Sequence, residues 1–249
     1  MSRLAGRTRS LVTLSLLCAS RLLAQSVSPP IAEYQEKARS SFRLQNASIF
    51  PITVVLEVRG FEITDLGEVI DTRLDTGRVH VKLSEMSFRL PPRGTRTVFY
   101  EARGDTLPAW FNILSAMTGA RTESGLNVRI LLPHVVYLNQ KQPLRRDDVS
   151  ITRIEFDRGS KKARVLLENQ GPRLGRVHQL TLGHPNHSGQ PAGGFPLLPH
   201  RRRWAEVEWP NGTPPSRLTI RFAKFTIDTT VSPIAASLAA ESTAVVHRP

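Results

Sequence analysis

The chain has almost no cysteine: Cys18 is the only one among its 249 residues. Cys18 lies inside the N-terminal segment that we expect to be removed, so the mature protein can form no disulfide and must depend on its hydrophobic core. Leu17 stands directly before Cys18, where a lipoprotein signal needs a small residue. We therefore do not expect lipid attachment at this cysteine.

Helical periodicity and long apolar runs are also scarce. After the first 24 residues no run is long and apolar enough to span a bilayer, so we expect no stable membrane insertion. Short runs rich in β-branched residues are instead separated by glycine and proline. This pattern predicts an all-β chain built from sandwiches or barrels.

Motifs of enzymes and of metal sites are missing too. The sequence holds no nucleophile elbow, no phosphate-binding loop and no metalloprotease helix, so we expect no catalytic residues. Four histidines fall in the second half of the chain, but their spacing is looser than in metal-binding motifs. They are His178, His184, His187 and His200. We expect neither a metal nor a cofactor.

The first 24 residues have the pattern of an export signal. A basic start is followed by an apolar run at residues 11–19 and by a small-residue cleavage site at residues 22–24. The basic residues of this start are Arg3, Arg7 and Arg9, and Arg21 interrupts the segment before the cleavage site. We expect residues 1–24 to be a signal peptide.

The chain is short of acidic residues relative to basic ones, with a formal net charge of +13. Removal of residues 1–24, which hold four arginines and no acidic residue, would leave +9. A basic exported protein can bind an anionic envelope surface or an acidic partner. The tightest basic run, residues 200–203, is short, and an exported protein rarely meets nucleic acid, so we expect none as a partner.

The order of the β-rich runs predicts two domains. About seven runs between residues 25 and 142 match the size of an immunoglobulin-like sandwich. A polar stretch near residues 139–148 is typical of a linker. A smaller series of strands then covers residues 143–230, and residues 231–249 form a flexible tail. The expected fold is therefore all-β, with two tandem immunoglobulin-like sandwiches of which the second is smaller.

The last run of the first domain has strict alternation of apolar and other residues. One face carries Leu126, Val128, Ile130 and Leu132, and the other carries Asn127, Arg129 and Leu131. Pro133 follows, and a proline is hard to place in a strand that is paired on both sides. We expect an edge strand or a bulge here. An apolar edge is an aggregation hazard, or else a surface that binds a partner by strand addition.

Several phrases, taken in order, carry a likeness to a known family. They are residues 40–46 with 51–54, residues 88–94 with 97–99, residues 125–137, and in the second domain residues 163–169 and 194–199. Their order and spacing are similar to those of the PapD-like periplasmic pilus chaperones. The chain resembles a divergent member of that family.

The resemblance implies a periplasmic, non-catalytic chaperone that needs no cofactor. Its partner would be an exported pilus or surface-structure subunit, with an outer-membrane usher as a further candidate. The subunit would receive the last strand of the first domain, through Leu126, Val128, Ile130 and Leu132. The family anchors the subunit's terminal carboxylate with an Arg on its first strand and a Lys on the donor strand.

This sequence departs from the family at those anchors. The first-strand position falls near Pro30 or Ile31, and alignment through Tyr137 places His134 at the Lys position. Arg129 could replace the lost charge, so Arg129 and His134 are the candidate anchors. Leu138 stands where the family commonly has an Arg in a salt bridge between the domains.

Two other hypotheses remain open on the sequence alone. Residues 126–132 could form an ordinary strand whose apolar face lies in its own core, within an immunoglobulin-like structural or adhesive envelope protein. The scattered arginines could also make the protein a binder of anionic surfaces, in which case binding would depend steeply on salt.

Overall fold

The structure, a computed structural model, describes residues 25–121, 127–185, 187–210 and 212–231. The regular structure of these residues is β-strand, apart from one 3-10 helix at Arg146–Asp148. The all-β prediction is therefore confirmed. The predicted signal peptide, Leu126 and residues 232–249 lie outside the described residues.

The first half of the chain contributes ten strands. They are β1 (Ser26–Ser28), β2 (Ile31–Gln35), β3 (Lys37–Gln45), β4 (Ile52–Ile63), β5 (Val69–Thr72), β6 (Val79–Leu83), β7 (Ser87–Leu90), β8 (Thr95–Gly104), β9 (Ala109–Arg121) and β10 (Asn127–Asn139). One sheet has the order β1-β3-β8-β6, and the other has the order β2-β10-β9-β4-β5, with β7 also paired to β4.

The two sheets enclose one apolar core because their strands alternate buried and exposed residues. Along β3, for example, Phe42 and Leu44 are buried while Arg43 between them is exposed. Fully buried members of the core include Leu44, Val54, Val98, Phe111, Ile113, Val136 and Leu138. This arrangement is the sandwich that the alternation predicts.

The N-terminal segment passes from one sheet to the other. β1 pairs with β3 in the first sheet, and β2 pairs in parallel with residues 135–139 of β10 in the second. Pro29 and Pro30 lie between β1 and β2, and neither has an N–H to donate to a ladder. Residues 31–37 have only a poor strand pattern in the sequence. The structure shows two short strands in this segment, β1 and β2, because the prolines interrupt the pairing.

The second half contributes nine strands. They are β11 (Val149–Asp157), β12 (Lys162–Asn169), β13 (Gly175–Val177), β14 (Gln179–His184), β15 (His187–Ser188), β16 (Phe195–Leu197), β17 (Arg201–Glu208), β18 (Arg217–Arg221) and β19 (Thr226–Thr230). Their sheets have the orders β11-β12-β17, β13-β16 and β15-β14-β18-β19. A second apolar core, which includes Val165, Leu182, Trp209 and Ile220, lies among them.

Three details of the second half depart from its sequence pattern. The β-rich run at residues 177–182 predicts one strand but is divided at His178, and the run at residues 218–226 predicts one strand but forms two, β18 and β19, joined by a turn. In that turn the N–H of Phe222 donates to the carbonyl of Phe225 at 2.9 Å, and the two rings stack at 4.6 Å. Val231, assigned to the tail, is buried in the second core.

The two halves contact each other through apolar and charged residues. Phe61 and Tyr137 of the first half share a small cluster with Leu174 and Leu198 of the second. Ionic contacts surround this cluster and involve the pairs Arg176–Glu33, Arg201–Glu62 and Arg202–Asp65. Leu138, at the family's salt-bridge position, is instead buried in the first core. The charged contact between the halves therefore uses other residues.

Candidate functional site

β10 is paired along its whole length on one side only. Its register with β9 runs from Asn127 opposite Arg121 to Leu138 opposite Ala109. On the other side, β2 pairs with residues 135–139 alone. No strand within the described residues occupies that side of residues 127–134. We call residues 127–133 of this side the free edge.

The direction of the backbone groups along β10 follows from two contacts at its paired end. The N–H of Val135 donates to the carbonyl of Pro30 at 2.8 Å, and the carbonyl of Asn139 accepts from Glu36 at 2.9 Å. Backbone groups alternate in direction along a strand. The N–H and C=O groups of the odd-numbered residues therefore all point to the side of β10 that holds β2 and the free edge. Arg129 and Leu131 therefore direct their N–H and C=O groups away from β9.

Pro133 belongs to the same odd-numbered series. Its nitrogen faces the free edge, where a missing N–H removes no bond to β9. The sequence-based expectation of an edge strand at this proline is confirmed. Because the Pro133 nitrogen faces away from β9, β10 keeps its register with β9 from Ile130 to Leu138.

A β-bulge lies opposite the free edge, in β9 and not in β10. Val128 is opposite Ala120 but Ile130 is opposite Met117, so β9 contains one extra residue at this point. Gly119 has a φ of +90°, a conformation that a residue with a side chain rarely adopts. The bulge leaves β10 regular, so the alternation of its side chains continues without a break.

The apolar face of the free edge continues directly into the core of the first half. Val128, Ile130 and Leu132 share a face of β10 with three fully buried residues. The buried residues are His134, Val136 and Leu138. Ile130 and Leu132 are half-buried against that core. Val128 is 36% exposed. The cover of this face therefore decreases toward the N-terminal end of β10, and Ile130 and Leu132 keep only part of their surface accessible.

His134 lies inside the core and not at the surface. It is completely buried, and its ring stacks on Phe42 with 4.6 Å between the centroids. His134, a candidate anchor from the sequence, therefore does not lie at the surface. Its position in the alternating series of Val136 and Leu138 is the sequence signal that indicated a buried side chain.

Both ring nitrogens of His134 have partners. Nδ1 lies 2.7 Å from the carbonyl oxygen of Pro29 and Nε2 lies 3.0 Å from the hydroxyl of Tyr100. A carbonyl only accepts, so Nδ1–H is the donor and the neutral ring accepts from Tyr100 at Nε2. The Tyr100 hydroxyl lies 3.0 Å from that of Tyr34 on β2. This network connects β10 to the segment that crosses between the sheets.

Burial governs the ionisation of this network. Desolvation lowers the pKa of His134, with the bond to the Pro29 carbonyl as a smaller opposing effect. Desolvation, followed by the bond to Tyr34, raises the pKa of Tyr100 far above its usual value. Both groups are therefore neutral at ordinary pH, and neither supplies a charge for a ligand.

Arg129 is the remaining candidate anchor. Its side chain is exposed, and its backbone N–H and C=O point to the free edge, as those of Leu131 do. The face that carries Leu131 also has an apolar row across three strands, because Ala116 of β9 is opposite both Leu131 and Val55. Leu131 is 54% exposed and Val55 is 48% exposed. Strand pattern alone did not reveal this row, since it depends on the register of β4 with β9.

No family model matches the sequence, and no curated protein sequence matches it. Solved structures are similar in fold. The YadV chaperone is 12% identical, covers 83% of this chain and 99% of its own, and superposes with a TM-score of 0.50. The Salmonella enterica SafB chaperone, in complex with the SafA pilin, is 13% identical, covers 86% of this chain and 99% of the matched chain, and also has a TM-score of 0.50.

The chain has the two-domain fold of these chaperones. The expected pair of β-sandwiches, inferred from the order of the β-rich runs, is confirmed by these superpositions. At identities of 12% and 13% the likeness concerns the fold. Among the described residues, no helix is long and apolar enough to cross a membrane.

Proposed function

We propose that the protein is a periplasmic chaperone that holds an exported pilus or surface-structure subunit by strand addition at the free edge of β10. The observation that supports this proposal is the edge itself. It combines unpaired backbone groups with apolar side chains in one regular strand. The similarity in fold to the YadV chaperone and to the SafB chaperone, which is solved with a pilin, agrees with it.

The backbone of the free edge offers a ladder to an incoming strand. Arg129 and Leu131 each provide an N–H and a C=O, and Pro133 provides a C=O. A hydrogen bond exchanged for water contributes about 0.5–1.5 kcal/mol. Backbone pairing of this length gives modest affinity without regard to client sequence, so side chains must fix the register.

The apolar face supplies that register. Val128, Ile130 and Leu132 alternate at the end of β10 where the cover of the core decreases. Each aliphatic side chain gains about 25 cal/mol for every Å² of apolar surface that a client removes from water. Leu126 extends the same alternation in sequence. We propose these four residues as the client-binding face.

The proposal assigns the client's terminal carboxylate to Arg129. The Arg129 side chain is exposed, and its residue belongs to the backbone ladder offered to the client. His134 is unsuitable because it is neutral and enclosed. A single exposed charge contributes little in water, typically below about 1 kcal/mol. We therefore propose that apolar register dominates client binding and that the carboxylate contact is secondary.

A second candidate function rests on the partial burial of Ile130 and Leu132. Their contact with the core of their own domain suits a structural or adhesive envelope module that has no client. In that case the free edge would be a tolerated edge protected by Pro133. The two candidates differ in whether the edge is occupied in cells.

Crosslinking in cells decides between them. A photoreactive amino acid at position 130 of the full-length protein is illuminated during export, and captured proteins are identified by mass spectrometry. The same probe at position 229, on β19 of the second half, is the matched control. The chaperone proposal expects an exported subunit from position 130 alone, and a co-purifying usher would extend the partner list. Equal capture from both positions, or none, would contradict it.

A further inference from the structure

Basic side chains collect on the outer face of the sheet that does not contain β10. On β3, β6 and β8, alternate residues point outward from the core. Five of these outward residues are cations, and Glu101 is the only acidic residue of the three strands. The five are Lys37, Arg39, Arg43, Lys82 and Arg103. We call them, together with Phe99, the basic face.

The register places like charges beside each other on this face. Lys37 is directly opposite Arg103. Like charges in opposite positions of neighbouring strands destabilise a sheet. Asp105 compensates in part, at 2.9 Å from His80 and 3.9 Å from Arg103. Lys37 has no such compensation from its own strand, which contains no acidic residue.

The next row has the same excess of positive charge. Glu101 lies between Arg39 and Lys82 in register and makes an ion pair with Arg39 at 3.2 Å. This row thus has two cations and one carboxylate. Arg39 is 89% exposed in this pair, so its charge remains accessible to an external anion. Over the two rows, and within the described part of the chain, four cations have only Asp105 and Glu101 as carboxylates beside them in register or in an ion pair.

An aromatic ring lies among these basic residues, between the rows of Arg39 and Arg43. Phe99 is 61% exposed and is opposite Ser41 on β3, so small neighbours leave its ring open. Two shallow hollows of about 450 and 550 Å³ lie on the same face and share Arg39, Lys82 and Glu101 in their lining. Both hollows are open to solvent and shallow.

We propose that the basic face docks the protein on an anionic lipid surface. Cations at sheet spacing can each meet a headgroup phosphate, and an exposed aromatic ring can enter the interfacial region between them. This inference does not depend on the client-binding proposal, since the basic face and the free edge belong to different sheets. It also gives a role to positive charge that client binding at β10 does not use.

Vesicle co-sedimentation tests the docking. The full-length protein is mixed with vesicles containing about 30% phosphatidylglycerol in phosphatidylcholine, or phosphatidylcholine alone, at low and high salt. Lys37→Gln with Arg103→Gln is the charge variant, and Phe99→Ser is the aromatic variant. Arg158→Gln with Lys224→Gln, two exposed residues of the second half, is the control with the same loss of charge. Any contribution of residues 1–24 is common to all four proteins.

The expected result is binding to anionic vesicles that falls with salt, falls about tenfold in the charge variant, and falls severalfold in Phe99→Ser. The control should change less than about twofold. Equal binding to neutral vesicles, or equal losses in the control, would overturn the proposal. Binding to soluble poly-glutamate with the same dependence on Lys37 and Arg103, but not to vesicles, would overturn it in favour of an acidic protein partner.

Discussion

The Nδ1 atom of His134 lies 2.7 Å from the carbonyl oxygen of Pro29, and this contact marks the end of the free edge. Beyond it, β2 pairs with β10, and before it no strand of the described residues pairs with that side of β10. The histidine thus fixes the crossing of the N-terminal segment between the two sheets. Both of its ring nitrogens contact groups of the fold itself, and these contacts support the candidate site.

Replacement of His134 by alanine should destabilise the fold. The change leaves a cavity against Phe42 and removes the partners of the Pro29 carbonyl and the Tyr100 hydroxyl. We expect a loss of about 2–4 kcal/mol in the free energy of unfolding, measured with urea. His80→Ala, at an exposed histidine, should change it by less than about 0.5 kcal/mol. Equal effects of the two substitutions would contradict this assignment.

The free energy of unfolding should also fall as the pH is lowered below the pKa of an ordinary histidine. Burial lowers the pKa of His134 in the folded protein, so below about pH 6.5 the unfolded chain binds a proton that the folded chain does not. Stability is then complete above the unfolded pKa and is lost as the pH falls toward the folded pKa, by up to about 1.4 kcal/mol per unit. Urea unfolding between pH 7 and pH 5 measures the slope. A slope unchanged in His134→Gln would show that other groups cause it.

Gly119→Ala should weaken the bulge in β9. The φ of +90° is the cause, since the nearest atom to an added Cβ is the Pro51 carbonyl oxygen at 3.4 Å, an ordinary contact. We expect a loss of about 1–2 kcal/mol in the free energy of unfolding. Gly212→Ala is the control, because no atom from elsewhere in the described part of the chain lies within 4 Å of its added Cβ. A neutral Gly119→Ala would show that the bulge adapts without strain.

The side-chain part of the client-binding proposal is tested at two neighbouring positions. Val128 belongs to the proposed binding face, and Leu131 belongs to the opposite face, and both are partly exposed. Val128→Asp should lower client capture about tenfold or more, since it places a charge in an apolar groove of the client. Leu131→Asp should lower it by less than about threefold. Quantitative pull-down of the captured subunit gives both values, and the reverse order would assign the client to the other face.

How much the sequence could predict differs between the strand and its surroundings. The alternation of β10 and the edge position of Pro133 depend on local geometry, which one strand's sequence contains. The burial of His134 depends on Phe42, Tyr100 and Pro29, which are distant in sequence. A histidine is ambiguous by type, so only its place in series with Val136 and Leu138 indicated burial.

The basic face shows the same limit in another form. Each of its three strands has an ordinary mixture of charged and apolar residues, and the sequence only suggested scattered arginines. The register of β3, β8 and β6 brings Lys37 next to Arg103 and Arg39 next to Glu101. Pairing between strands is a long-range property, so the charge pattern emerges only with the fold.

The central claim is that a client strand pairs with the backbone of the free edge, and Leu131 tests it most directly. Leu131→Pro removes an N–H that points away from β9, at a position equivalent to that of Pro133, so the fold should persist. Leu131→Ala keeps the N–H and removes the side chain. We predict that client capture falls about tenfold or more in Leu131→Pro and stays within about twofold of the natural protein in Leu131→Ala. Unchanged capture by a folded Leu131→Pro protein would contradict strand addition at β10.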